Sequence, residues 1–152
     1  MTVTDTALTA IAHQGVTDTV VRANLALDQA DIDAWVGCFT THARLTITDN
    51  GGRVLHHLQG ETQLHHYATQ AARSSYAAGA VRHWNANLVI DSDTDSASVD
   101  SYLLIATTGH NQTVVATGTV HDELRYHGAR WVIAAREVRL DGIAHITGEA
   151  SQ

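Results

Sequence analysis

Two side chains of this sequence have the chemistry of a proton-transfer pair. Asp28 lies in the run 17–30, where Val20, Val21, Asn24, Leu27 and Asp28 share one stripe at helical spacing. A carboxylate on an apolar stripe is costly to bury alone, so Asp28 needs a polar cavity or a hydrogen-bonded partner. A plainer account ends the helix near Leu27 and leaves Asp28 in a polar connection to Asp31. The second side chain is His83, within the strand-like run Val81–Ile90. Alternation puts His83, Asn85 and Asn87 on one face and Trp84, Ala86, Leu88 and Ile90 on the other. A neutral imidazole can take a proton from carbon or oxygen, while a carboxylate on its other nitrogen fixes the tautomer and stabilises the imidazolium. The plainer account here leaves the His/Asn face in water and puts Trp84 in the core. Only a fold can bring together two residues so far apart in sequence.

Other chemistries find less support. The sequence holds 11 His, but the adjacent pairs His56-His57 and His65-His66 point to different sides of a strand or helix, and no HExxH or His/Cys pattern occurs, so no metal is expected. Asp91, Asp93 and Asp95 imitate the start of a calcium loop, yet Ser96 stands where the loop needs Gly and Tyr102 where it needs Glu. Glycine-rich phosphate loops and nucleophile-elbow motifs are absent. The single Cys38, among Trp35, Val36 and Phe39, reads as a small buried hydrophobe and excludes an internal disulfide framework.

The elements that must position the pair follow from periodicity. A short helix is predicted over 5–13, capped by Thr4 and stopped by Gly15; a second runs over 17–30, and Asp31 caps a third carrying Ile32, Trp35, Val36 and Phe39. Residues 43–49 and 53–58 flank Asn50-Gly51-Gly52 and read as a hairpin. A fourth helix is predicted over 61–78 with Gly79 as its stop. Four strands follow, over 81–90, 98–107, 114–126 and 131–140, giving an α+β domain with helices on one face of a curved sheet.

Composition bounds the function. The 152 residues match one ordinary domain, 1–152, with no proline, no Gly/Ser linker and no repeat to mark a boundary. Hydrophobic residues make up 44% and charged residues 16%, as in a globular chain. The nine basic residues are all Arg, and the net charge of -7 argues against nucleic-acid or anionic-membrane partners and leaves a small molecule as the expected one. No apolar run reaches the length of a membrane span, and no basic stretch precedes an apolar segment at the start, so the cytoplasm is the expected compartment.

Three motifs in register resemble a known family. The run from Leu25 through Asp28, Asp31, Trp35 and Phe39-Thr40 to Ala43 resembles the opening of SnoaL-like proteins of the nuclear-transport-factor-2-like superfamily. Arg82-His83 with Asn87 is similar to that family's first long strand. Gly118 with Asp122-Glu-Leu, then Gly128, Trp131, Ile133, Arg136 and Val138, is similar to its last two strands. The resemblance implies a cone-shaped α+β barrel, a strongly curved mixed sheet wrapped around N-terminal helices with an interior pocket. It also implies a homodimer packed through the sheet, which would cover the Trp84 face.

Within that family, cofactor-free dehydratases, dehydrochlorinases, isomerases and polyketide cyclases place an Asp from the helix end and a His from the long strand in the pocket. Here these are Asp28 and His83. The implied activity is a lyase or isomerase acting by general acid/base catalysis on a small apolar or polycyclic carbonyl compound, with Trp35, Trp84 and Asn87 supporting the pocket. Several relatives carry a Tyr or Lys five residues before the Asp; this chain has Ala23, and Tyr67, Tyr76, Tyr102, Asn85, Asn87 or His121 would have to replace it. The alternative is a non-catalytic ligand-binding or scaffold subunit, such as the β subunit of a ring-hydroxylating dioxygenase.

Overall fold

The structure, a computed structural model, describes residues 1–74 and 80–143. Tyr76 and the predicted end of the fourth helix, with its stop at Gly79, lie outside the described residues.

The two helices expected before residue 31 are one, α1, Val3–Asp28. It starts earlier than the Thr4 cap implied, in a capping box in which Thr2 Oγ1 accepts from the Asp5 N–H and Asp5 accepts from the Thr2 N–H. Gly15 does not stop it. A Cβ at this position would lie 2.7 Å from Trp131 Cδ1, so the glycine serves close helix-to-sheet approach. Thr19 Oγ1, one turn on, donates to the Trp131 carbonyl at 2.9 Å and pins the helix there. Gly15→Ala gains about 1 kcal/mol of helix propensity and meets an overpacking cost of about 1–3 kcal/mol. The expected outcome is a net loss of about 1 kcal/mol, read as a lower urea midpoint; a raised midpoint would show that Trp131 gives way freely.

The buried side of α1 runs through Val16, Thr19, Val20, Ala23, Asn24 and Asp28, while Val21, expected on the stripe, is exposed. The helix ends sharply after Asp28. The Asp31 N–H bonds the Ala26 carbonyl and the Ala30 N–H the Leu27 carbonyl, with Ala30 at φ 55, a Schellman turn built on alanine. Asp31 then caps α2, Ile32–Val36.

The sheet has six strands: β1 (Phe39–Thr48), β2 (Val54–Gln59), β3 (Val81–Ser92), β4 (Ser96–Thr107), β5 (Val114–His127) and β6 (Arg130–Ile143). Helix α3, Glu61–Arg73, lies between β2 and β3 in the chain. The strand order is β2-β1-β6-β5-β4-β3, with β1 and β6 parallel and all other neighbours antiparallel. Every neighbouring pair has a break in register, which bends the sheet around the helices without closing it. At one break, in β5, a Cβ on Gly118 would run into the Arg139 carbonyl of β6, so only glycine lets the strands approach there.

Two apolar clusters result. The larger joins α1, α2 and α3 to the sheet through Val16, Val20, Trp35, Leu64, Leu124 and Ile133. The smaller, Leu103, Ala116, Val120, Val138 and Leu140, lies on the inward face of β4, β5 and β6. A cavity lies against this smaller cluster, lined by all five of its members. Among the described residues no helix is long and apolar enough to cross a membrane.

Candidate active site

Asp28 and His83 meet. His83 Nδ1 lies 2.6 Å from Asp28 Oδ1, and the His83 backbone N–H donates to Asp28 Oδ2 at 3.0 Å. Because β3 is the edge strand, that N–H is free of the ladder and the carboxylate takes it. Asp28 is 6% exposed and is the last residue of α1. A negative charge at the negative end of a helix is unfavourable by itself. What holds it there is the pair of bonds from β3, which occupies both carboxylate oxygens. A carboxylate at Nδ1 puts the ring proton on that nitrogen and leaves the lone pair on Nε2.

A second bridge runs beside the first. Asn24 Nδ2 donates to Asn85 Oδ1 at 2.6 Å, and Asn85 Nδ2 donates to Ser101 Oγ of β4 at 2.7 Å. Asn24 precedes Asp28 by four residues, about 6 Å of helix rise, and Asn85 follows His83 by two, about 6.6 Å of strand. The matching rises make two parallel rungs between antiparallel elements. Farther along the two elements, Val20 and Leu88 belong to the apolar core.

The cavity, about 240 Å³, is lined by His83, Asn85, Asn24, Trp35 and Tyr67, with His56 and Arg136 as further polar groups on otherwise aliphatic walls. Trp35 is 2% exposed, and its ring stacks obliquely on Phe39 and Tyr67 with centroids 4.8 and 5.9 Å away. Arg136 is held by Asp122, Nε to Oδ1 at 2.7 Å and Nη2 to Oδ2 at 2.9 Å, in a pair almost wholly out of water. Burial works against the guanidinium charge, but attraction and hydrogen bonding from Asp122 outweigh it and the pKa is raised. The Cys38 thiol pKa is also raised, by burial, against the pull of Arg136, Arg130 and Arg22; this suits a packing residue rather than a nucleophile.

Four of the expected binding residues lie elsewhere. Asn87, at φ 57, forms a bulge in which it and Leu88 together face Ser101, so the alternation flips. Leu88 and Ile90 thereby join the core, and Asn87 turns outward with Tyr102 and His121 to line an open depression of about 730 Å³ on the other face of the sheet. Trp84 is 47% exposed and stands across from Leu104, which belongs to that same outer face.

The outer depression has its own His–Asp pair, His121 Nδ1 to Asp100 Oδ1 at 2.8 Å. Its side chains are 42% and 71% exposed, against 17% and 3% for His83 and Asp28. The hydrogen bond that His121 donates to Asp100 raises the His121 pKa, with desolvation opposing it. In water such a pair is screened to about 1 kcal/mol or less. The buried pair is therefore much less screened than the outer one.

Sequence reasoning missed Asn24 and Ser101 as site residues, and also the Asp122–Arg136 pair. Asn24 is readable as a second polar residue on the stripe of Asp28. Asp122 alternates with Val120 and Leu124, which marks it as inward-facing.

Comparison with known proteins agrees with this architecture. No curated protein sequence matches significantly. Among solved structures, an Asp-to-Asn variant of Rv3472, a protein of unknown function from Mycobacterium tuberculosis, is 24% identical over 95% of this chain and 79% of its own, with a TM-score of 0.76. A candidate scytalone dehydratase from Novosphingobium aromaticivorans is 15% identical over 96% of this chain and 99% of its own, with a TM-score of 0.73. The β subunit of a candidate aromatic-ring-hydroxylating dioxygenase from the same organism is 16% identical over 90% and 93%, with a TM-score of 0.75. At these identities the likeness is one of fold. The SnoaL-like domain description matches residues 9–137, and the chain belongs to that family.

Proposed function

We propose that this protein is a cofactor-independent lyase or isomerase that removes a proton from carbon beside a carbonyl group. His83 Nε2 takes the proton, the C–H electron pair moves toward the carbonyl oxygen, and Asp28 holds the tautomer and balances the imidazolium. The observation that carries this reading is the buried Asp28 carboxylate on Nδ1 of a histidine that lines an apolar cavity. A volume of about 240 Å³ and mostly aliphatic walls suit a bicyclic ketone with few polar groups. The likeness to a candidate scytalone dehydratase points in the same direction.

The test is hydrogen exchange. Incubated with 1-tetralone in D₂O, the protein is expected to speed loss of the α-proton signals in the NMR spectrum. Exchange no faster than in buffer, with both 1-tetralone and 2-tetralone, counts against proton abstraction.

A second reading rests on the outer sheet face, where Trp84, Val89 and Tyr102 are exposed as a partner-binding face would be. A second copy of this chain is the occupant we favour; in the scaffold reading a larger hydroxylase subunit takes its place. The mass of the native complex, with its subunit composition, separates the two.

A further inference from the structure

We infer that Asn85 is the group that binds the substrate oxygen, and that Asn24 and Ser101 are positioning residues holding its amide for that task. The inference rests on the proposed proton abstraction only in assigning the oxygen to an enolisable ketone.

Hydrogen-bond accounting carries the argument. Asn85 offers two N–H groups and one carbonyl oxygen. The oxygen accepts from Asn24 and one N–H goes to Ser101. The second N–H has no acceptor among the described residues, and Asn85 lines the cavity. Asn85 is only partly buried, so its amide is not sealed away from the space beside it. Reversing all three groups runs the chain backwards, with Asn85 donating to Asn24 and accepting from Ser101, and again leaves one Asn85 N–H unspent.

Position agrees with the chemistry. Asn85 is one strand repeat, about 6.6 Å, from His83 on the same face of β3. An oxygen at hydrogen-bond distance from the Asn85 amide leaves the neighbouring carbon within reach of His83 Nε2. The residues on either side fix the amide before the ligand arrives, so little reorganisation is needed as charge grows on the oxygen. The amide thus stands in for the side chain that Ala23 lacks.

The test compares 1-naphthol, a stable aromatic stand-in for the enol of 1-tetralone, with naphthalene, which has the same ring system and no oxygen. Binding is followed by fluorescence to wild type and to Asn85→Leu, a change of similar volume. The naphthol affinity is expected to fall about tenfold in the variant while naphthalene binds as well as before or better. An unchanged ratio of the two affinities overturns the inference, and retained naphthalene binding reports an intact cavity. Should Asn85→Leu fail to fold, Ser101→Ala removes the outer support. Its naphthol-to-naphthalene ratio is expected to drop several-fold, and an unchanged ratio overturns the relay. His83→Gln separates this inference from the proposed reaction: loss of exchange with naphthol preference retained supports both. Full exchange in that variant sinks the base and leaves the amide assignment standing.

Discussion

Replacing His83 by glutamine is expected to lower the rate of α-proton exchange by about 10²–10⁴-fold, the range ordinarily removed with a positioned general base. Glutamine is chosen over alanine because Asp28 is 6% exposed and draws two hydrogen bonds from residue 83. Alanine would leave one carboxylate oxygen buried without a donor, a cost of about 1–3 kcal/mol or more that confuses activity with folding. Asp28→Asn should come close to the same loss by a different route. An amide in place of the carboxylate can turn its NH₂ toward Nδ1, which pushes the ring proton to Nε2 and blocks the lone pair that accepts the substrate proton. The double variant should then lose little more than either single one, because the two residues act as a unit. Folded His83→Gln protein with the wild-type exchange rate would remove His83 as the base.

The pair is legible in sequence because each member breaks a pattern in a place where a break is costly: an acid on an apolar helical stripe, and an imidazole on a strand face with two amides. Helix rise and strand rise make their meeting geometrically natural once α1 lies antiparallel to β3. The rest is hidden by local backbone events. A bulge at Asn87 shifts the face of every later residue in β3, and no residue type announces it, since asparagine at positive φ is equally at home in a turn. Tyr102 and His121 are on outward positions of β4 and β5 whose partners appear only with the strand register. Gly15 reads as a helix stop because glycine's conformational freedom is a local property, whereas its use here, room for Trp131, depends on a residue far along the chain.

Asp122 and Arg136 set the second large expectation. Asp122 is fully buried, Arg136 is 7% exposed, and two hydrogen bonds of 2.7 and 2.9 Å join them between neighbouring strands. Removing the acid alone, as Asp122→Ala, takes away the attraction and hydrogen bonds that hold the Arg136 charge against burial, and strands a guanidinium, a group that proteins do not deprotonate. The expected loss is about 3–5 kcal/mol, seen as a large fall in urea midpoint. The Phe39 ring, 5.8 Å from the guanidinium carbon, offers a cation–π contact worth about 0.5–2 kcal/mol, too little to replace the carboxylate. Removing both charges gives the contrasting result: Asp122→Leu with Arg136→Met should recover most of the lost stability, because two apolar side chains avoid the desolvation that the ion pair only just offsets. If the single variant instead lost under about 1 kcal/mol, the pair would not be as dry as its geometry implies. The cavity beside it would then hold enough water to weaken the field on which His83 and Asp28 depend.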